Sequence, residues 1–235
     1  MKCWFFCLLC LPALCALAQQ PSSTAAAADP AQTSVRFSFD WSRGFPWQSY
    51  SITVQSDGKA RFEGVPHADD SSDSSPYRQD FSISEANRRK IFELAQKLNY
   101  FQGNFDAHLK HVAQTGEKTL QYESPRVEGS TTYNWSQNPD VQELTGLFTG
   151  IAMTIDYDRK LAFQYRYDKL GIDERLKELE GLEASHGVEE LAIIAPMLSK
   201  IADDPDMMHI SRQSARRLLK SIHQPGVAAQ SPAGR

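Results

Sequence analysis

From residue 34 to residue 83 apolar side chains recur at every second position. Val35, Phe37, Phe39 and Trp41 alternate with Arg36, Ser38, Asp40 and Ser42, the pattern of a strand with one wet face. Tyr50, Ile52 and Val54 repeat it. Asp57-Gly58 then supplies residues that tolerate positive φ in a tight turn, and Ala60 and Phe62 bring the chain back as a hairpin. After a polar loop, Tyr77 to Ile83 adds a further strand. Ser82-Ile83-Ser84-Glu85 reads as a Ser-x-x-Glu capping box. Ile91, Leu94, Leu98 and Phe101 follow at helical spacing, so the pattern predicts a helix over residues 84 to 99 that covers one face of the sheet. Leu120 and Tyr122, then Val127, Thr131 and Tyr133, restore the alternation and predict a second hairpin closed around Ser124-Pro125.

At residue 138 the period becomes 3.6 and stays there. Asn138-Pro139-Asp140 offers a cap, a proline suited to the first helical position and an acid near the positive helix end, and Val141, Leu144, Phe148, Ile151 and Ile155 form the buried stripe behind it. Residues 157 to 169 continue this helix or form another, ending near Gly171. Asp173 is placed to cap a short helix carrying Leu176 and Leu179 and stopping around Gly187. Leu191, Ile194, Leu198 and Ile201 mark the next helix, with Pro196 expected to kink it. Asp204-Pro205-Asp206 repeats the Asn138-Pro139-Asp140 device and is expected to open a last helix carrying Ala215, Leu218, Leu219 and Ile222. The fold class expected is therefore α+β: an N-terminal antiparallel β meander with one covering helix over residues 34–136, and a C-terminal bundle of about four to five helices over residues 137–223 packed on it.

The ends of the chain change the picture. Lys2, an apolar run from Cys3 to Leu17, and Ala16-Leu17-Ala18 before Gln19-Gln20 have the layout of a secretory signal peptide cleaved after Ala18. With Pro12 inside it, the run is too short for the about 20 apolar residues that cross a bilayer. Cys7, Cys10 and Cys15 follow Phe6, Leu9 and Leu14 rather than the small residue that lipoprotein processing prefers. Residues 19–33 and 224–235 lack the large apolar side chains that offset ordering entropy and read as disordered leader and tail. All four cysteines (Cys3, Cys7, Cys10, Cys15) fall in the segment to be removed. An exported mature chain therefore has no disulfide, thiolate nucleophile or cysteine-ligated zinc, and no stable membrane span.

Composition is that of a globular protein, with 41% hydrophobic and 23% charged residues, which excludes a collagenous or multi-span membrane chain. Without Lys2 the balance is 24 basic against 29 acidic residues, a charge of −5 that argues against a nucleic-acid partner. Arg88-Arg89-Lys90, the one dense basic run, points three ways on a helix and reads as a solvated face.

No nucleophile elbow, His-Glu-x-x-His or phosphate-binding glycine loop occurs, so no residue is assigned as catalytic, cofactor-binding or metal-ligating. Four weaker features remain. His108 and His111 share a spacing compatible with one metal but lack a third ligand at a recognisable distance. His67, in Val65-Pro66-His67-Ala68-Asp69-Asp70, lies among carboxylates and would serve as a general base if a nucleophile came close; an ordinary turn residue is the simpler reading. Asp69, Asp70 and Asp73 lack the alternation and turn glycine of a calcium loop and read as a solvated acidic loop, while Asp203, Asp204 and Asp206 are explained by capping. Tyr157, Phe163, Tyr165 and Tyr167, interleaved with Arg159, Lys160, Arg166 and Lys169, combine rings that stack with cations that hold anions. Helical geometry puts Tyr157, Leu161 and Tyr165 in one row and Phe163 and Tyr167 in another, so some of these rings are expected in the core between sheet and bundle; packing is the main reading of the set, and an exposed glycan or partner surface is the alternative. Asn134-Trp135-Ser136 matches a glycosylation sequon, relevant only in a eukaryotic secretory pathway.

Residues 50–101, through Tyr50-x-Ile52-x-Val54, Asp57-Gly58, Phe62-x-Gly64 and the helix from Ile91-Phe92 to Tyr100-Phe101, resemble domains of uncharacterised secreted bacterial families. Gly116-Glu117-Lys118-Thr119-Leu120, Thr132-Tyr133-Asn134 and Arg166 to Gly171 look like stretches of exported proteins of soil bacteria with no assigned activity. This resemblance implies an export route and an architecture, and no reaction. Residues 188–222 are similar to one HEAT-type helical repeat, with Arg212 and Ala215 near that family's usual positions, which implies protein binding. The function expected is that of an exported, periplasmic or extracellular, non-catalytic binding module of the cell envelope whose partner is an envelope protein or a glycan. The alternative is a hydrolase using His67 and nearby carboxylates.

Overall fold

The computed structural model describes residues 33–40, 44–67, 75–108 and 116–223. The expected signal segment 1–18 and tail 224–235, the expected leader except Thr33, all four cysteines, Trp41, His111, Asp69, Asp70 and Asp73 lie outside these residues. The fold is α+β. Strands β1 (Ser34–Asp40), β2 (Trp47–Gln55), β3 (Lys59–Pro66) and β4 (Tyr77–Ser82) form an antiparallel meander. Helix α1 (Glu85–Lys97) then carries the chain to β5 (Glu117–Glu123), which pairs with the free side of β1, and β6 (Glu128–Tyr133) completes a sheet of order β4-β3-β2-β1-β5-β6. Helices α2 (Pro139–Tyr167), α3 (Ile172–Ala184), α4 (Ala195–Asp203) and α5 (His209–His223) follow.

The alternation read from the sequence decides which face is dry. Val35, Phe37 and Phe39 of β1 and Ile52 and Val54 of β2 point into the core with Leu120 of β5, whereas Arg36, Thr53, Arg61 and Asp80 stay on the open face. Trp47 breaks the parity, because it and Tyr50, three positions apart, are both buried. A register shift between Trp47 and Ser49 re-aims the strand there, as bulges do. The indole packs on Phe62 with centroids 4.7 Å apart and donates its Nε1 hydrogen to the Ala152 carbonyl of α2 at 3.1 Å. Gly64, opposite Tyr50, makes this packing possible, since a Cβ there would lie 2.7 Å from the Phe62 ring and 3.0 Å from the indole.

Helix α2 opens as expected, with Asn138 Oδ1 accepting from the Asp140 and Val141 amides and Pro139 in the first turn. It runs unbroken for 29 residues, about 43 Å at 1.5 Å per residue. Its first half places Val141, Leu144, Phe148, Ile151 and Ile155 against the sheet, with Phe148 stacked on Phe37 at 5.2 Å and 1°. Its second half contributes Tyr157 and Leu161 to a separate core with Ile172, Leu176, Leu179, Leu198, Ile201, Ala215 and Leu218 of α3, α4 and α5.

Several expected helix ends are corrected. The cap of α1 is Ser84 rather than Ser82, and Glu85 pairs with Arg88 at 2.7 Å instead of closing a box. The reciprocal acceptor comes from Glu190, 106 residues downstream, which takes the Ser84 amide at 3.1 Å, the Ser84 hydroxyl at 2.6 Å and Asn87 Nδ2 at 2.8 Å. Helix α1 stops at Lys97, and Phe101 reaches the core through Asn99, Tyr100 and Phe101, all with left-handed backbones. Asp173 does not cap α3, which begins after Gly171; it lies in the first turn and pairs with Lys177 at 2.6 Å. Pro196 sits in the first turn of α4, where its missing N–H costs nothing, so it starts the helix rather than kinking it. Asp204 does not open α5, which begins at His209. Its carboxylate instead accepts from the Tyr165 hydroxyl at 2.8 Å, Lys169 Nζ at 2.9 Å and the Asp206 amide at 2.9 Å.

Residues 188–190 cross α2 closely. Thr154 donates to the Glu189 carbonyl at 2.5 Å, and a Cβ on Gly150 would lie 2.8 Å from Glu189 Cγ and 3.3 Å from its amide nitrogen. Gly150→Val should therefore displace this crossing and cost about 1–3 kcal/mol, and Glu190→Ala should cost about 1 kcal/mol through the lost cap, both read as lower urea midpoints. The Lys169, Tyr165 and Asp206 donors hold the Asp204 carboxyl down at about 2, against an ordinary value of 3.8. Between these values the unfolded chain binds a proton that the native chain does not. Stability from this group is therefore complete above about pH 4 and falls as the pH drops toward 2, and Asp204→Asn should flatten that part of the stability–pH curve.

Candidate functional site

Packing, the main expectation for the rings between residues 157 and 167, holds for Tyr157 and Tyr165 and is corrected for Phe163 and Tyr167, which lie on the other helical row and are exposed. Tyr157 and Leu161 are buried, and Tyr165 is half-buried against the helical core, with Lys200 Nζ 4.5 Å and Lys169 Nζ 5.1 Å from its ring centroid. Phe163 and Tyr167, on the other row, are 41% and 67% exposed and lie 4.9 Å apart at 49°, with the Arg166 guanidinium 5.8 Å from the Tyr167 centroid. Opposite them Pro66 ends β3 and Pro76 leads into β4. Strand ends and the last turns of α2 thus bound a groove of about 710 Å³ that Arg159 and Arg166 also line.

Two cations in this region are held by a buried acid. Asp156, 1% exposed, is neutralised by Arg159 at 3.0 Å and Lys160 at 2.9 Å, and the Arg159 guanidinium lies 5.4 Å from the Trp47 ring centroid. Tyr77, which lines the groove, donates to Gln79 Oε1 at 3.2 Å, and Gln79 Nε2 reaches Asp158 Oδ2 at 3.5 Å. Burial lifts the Asp158 carboxyl above its ordinary value and, more than the nearby charges, does the same to the Tyr77 phenol. Open ring faces beside guanidinium groups can stack on a sugar ring and pair with its carboxylate.

The other expected features are not brought to this groove as a reacting set. His67 leaves β3 with its amide donating to the Pro46 carbonyl at 3.4 Å, and among the described residues no hydroxyl or carboxylate is hydrogen-bonded to its ring. His108 has its Nε2 2.9 Å from Asn104 Nδ2 and its amide on Asp106 Oδ1 at 2.8 Å. Its expected partner His111 lies outside the described residues, as do Asp69, Asp70 and Asp73. Among the described residues no group of three or more His, Cys, Asp or Glu is placed to hold a metal ion, and no helix is long and apolar enough to cross a membrane.

A second pocket, of about 520 Å³, escaped the sequence reading. It lies where β1, β5 and the loop after β6 meet the first half of α2, and its walls include Phe39, Lys118, Tyr133, Trp135 and Gly146. Lys118 is only 9% exposed. Its Nζ donates to the Asn134 carbonyl at 3.0 Å and lies 4.4 Å from the Phe39 centroid, and desolvation pulls its ammonium below the usual lysine value. The signal was available: Lys118 shares strand parity with the buried Leu120 and so points to the dry face.

No family model and no curated protein matches the chain.

The division of the rings has a direct consequence. Tyr165→Ala should lower Tm by about 2–4 °C, the shift about 1 kcal/mol produces in a chain of this size, whereas Phe163→Ala and Tyr167→Ala should leave it within about 1 °C, since exposed substitutions change stability little. Thermal unfolding followed by circular dichroism checks both.

Proposed function

We propose that this chain acts after export as a non-catalytic binding module of the cell envelope, and that the groove at the end of α2 takes an acidic glycan. The observation that carries the reading is the exposure of Phe163 and Tyr167, two adjoining rings left open to solvent beside Arg166 in a groove that Arg159 also lines. Large apolar side chains are seldom left out in contact with one another without a partner. Rings give a sugar its stacking surface, and guanidinium groups give a uronate its paired hydrogen bonds. The cationic lining stands out on a chain of net charge −4, which favours an anionic ligand by local rather than overall charge. Export is supported by Lys2, the apolar run Cys3 to Leu17 and the Ala16-Leu17-Ala18 end. The hydrolase alternative gains no comparable support from the surroundings of His67.

Titration calorimetry of the chain with uronate oligosaccharides and with neutral oligosaccharides of equal length tests the reading. The acidic series should bind and weaken with salt. Tyr167→Ala and Phe163→Ala should each lower affinity by about tenfold or more, in the range of a lost aromatic anchor, at unchanged Tm. Equal binding of neutral and acidic sugars, or full affinity in both variants, would overturn it. Amino-terminal sequencing of the protein from its native host should begin at Gln19; material beginning at Met1 would remove export from the reading.

A further inference from the structure

We infer that the pocket around Lys118, at the opposite half of α2 from the aromatic groove, is a binding site for a small aromatic carboxylate. Three observations meet there. The first is an uncompensated cation. Lys118 is nine-tenths buried, and among the described residues no carboxylate lies within ion-pair distance of its Nζ. An ammonium has three hydrogens to place. The Asn134 carbonyl takes one, the Phe39 ring face accommodates the charge on another side, and the remaining direction is left for a ligand. A charge kept at this depth without a counter-ion is costly unless something pairs with it, and an anionic group entering the pocket supplies that pair.

The second observation is the apolar enclosure. Phe39, whose ring lies 4.4 Å from the ammonium, lines the pocket together with Tyr133 and Trp135, the last with 47% of its surface open to solvent. Flat rings lining a pocket with one cation fit a flat ring carrying one carboxylate. The third is access from the helix side. Gly146 lines the pocket at an exposed position of α2, and a Cβ built on it would meet no atom within 4 Å, so nothing covers the helix surface there. The walls are also fixed in place. The Trp135 carbonyl accepts from the Ala107 amide at 2.8 Å, Asn134 N–H donates to Asp106 Oδ2 at 3.1 Å, and Gln142 Nε2 donates to the Ser136 carbonyl at 2.8 Å. Asp106, the acid that braces this loop, gives its other oxygen to the His108 amide at 2.8 Å.

The test is calorimetric titration of the chain, purified as its host produces it, with 2-naphthoate and with its uncharged analogue 2-naphthamide. The acid should bind and the amide should bind about tenfold or more weakly, because a buried pairing partner is then absent. Lys118→Met keeps the length of the side chain and removes the charge, and should abolish the preference for the acid. Gly146→Leu sets a bulky side chain at the pocket's edge from an exposed helix position whose Cβ meets no atom within 4 Å. It should therefore keep or raise Tm while abolishing binding, which separates a blocked pocket from an unfolded protein. Equal affinity for acid and amide, an unchanged acid affinity in Lys118→Met or in folded Gly146→Leu, or no binding of 2-naphthoate to the unsubstituted chain would each overturn the inference. The uronate titration at the aromatic groove reads a different surface and is untouched by either result.

Discussion

One helix belongs to two cores, and that sharing constrains the rest of the molecule. A sheet with one dry face needs a cover, and the front half of α2 supplies it through Val141, Leu144, Phe148, Ile151 and Ile155. The same rod continues past the sheet, where Tyr157 and Leu161 become the wall on which α3, α4 and α5 close. At the junction the Trp47 indole is hydrogen-bonded to the Ala152 carbonyl, and the 188–190 segment crosses at Gly150 and Thr154 before Glu190 reaches the start of α1. Each contact joins parts of the chain far apart in sequence, so their ordering entropy is met collectively rather than locally.

Both candidate sites lie against this helix. Where α2 runs beyond the strand ends, Phe163, Arg166 and Tyr167 share a groove with Pro66 and the start of β4, among the described residues. Near its start, the exposed Gly146 shares a pocket lining with Phe39, Lys118, Tyr133 and Trp135. Cations arrive differently at the two. Arg159 is held by the buried Asp156, whereas Lys118 comes from the inward face of β5 and meets a carbonyl and a ring rather than an acid. The first arrangement is electrostatically paired, while the second is left to be completed by a ligand.

The period-two and period-3.6 patterns were enough to place six strands and the helices after them, because burial of one face dictates which positions must be apolar. They failed where a distant residue decided a local question. Ser84 shows this for a helix start: its reciprocal acceptor is Glu190. Asn138-Pro139-Asp140 and Asp204-Pro205-Asp206 look alike, yet only the first caps a helix, because Tyr165 and Lys169 claim the Asp204 carboxylate. Trp47 was hidden by a bulge that alters strand parity, and Phe101, marked as apolar at helical spacing, reaches the core through a left-handed turn instead of a helix. For the sites, the two rows of rings on α2 followed from helical geometry. The Lys118 pocket did not, although parity with Leu120 marked an inward charge, because its walls come from strands, a loop and a helix that only the fold brings together.

If α2 unites both cores, they must lose their structure together. Native-state hydrogen exchange in increasing denaturant measures this directly, through the opening free energies of amides in the sheet-facing half of α2 and of those in its second half, α3 and α5. The account predicts one common isotherm that merges with global unfolding. Separate isotherms, with residues beyond Asp156 opening at distinctly lower free energy while the sheet stays protected, would contradict it.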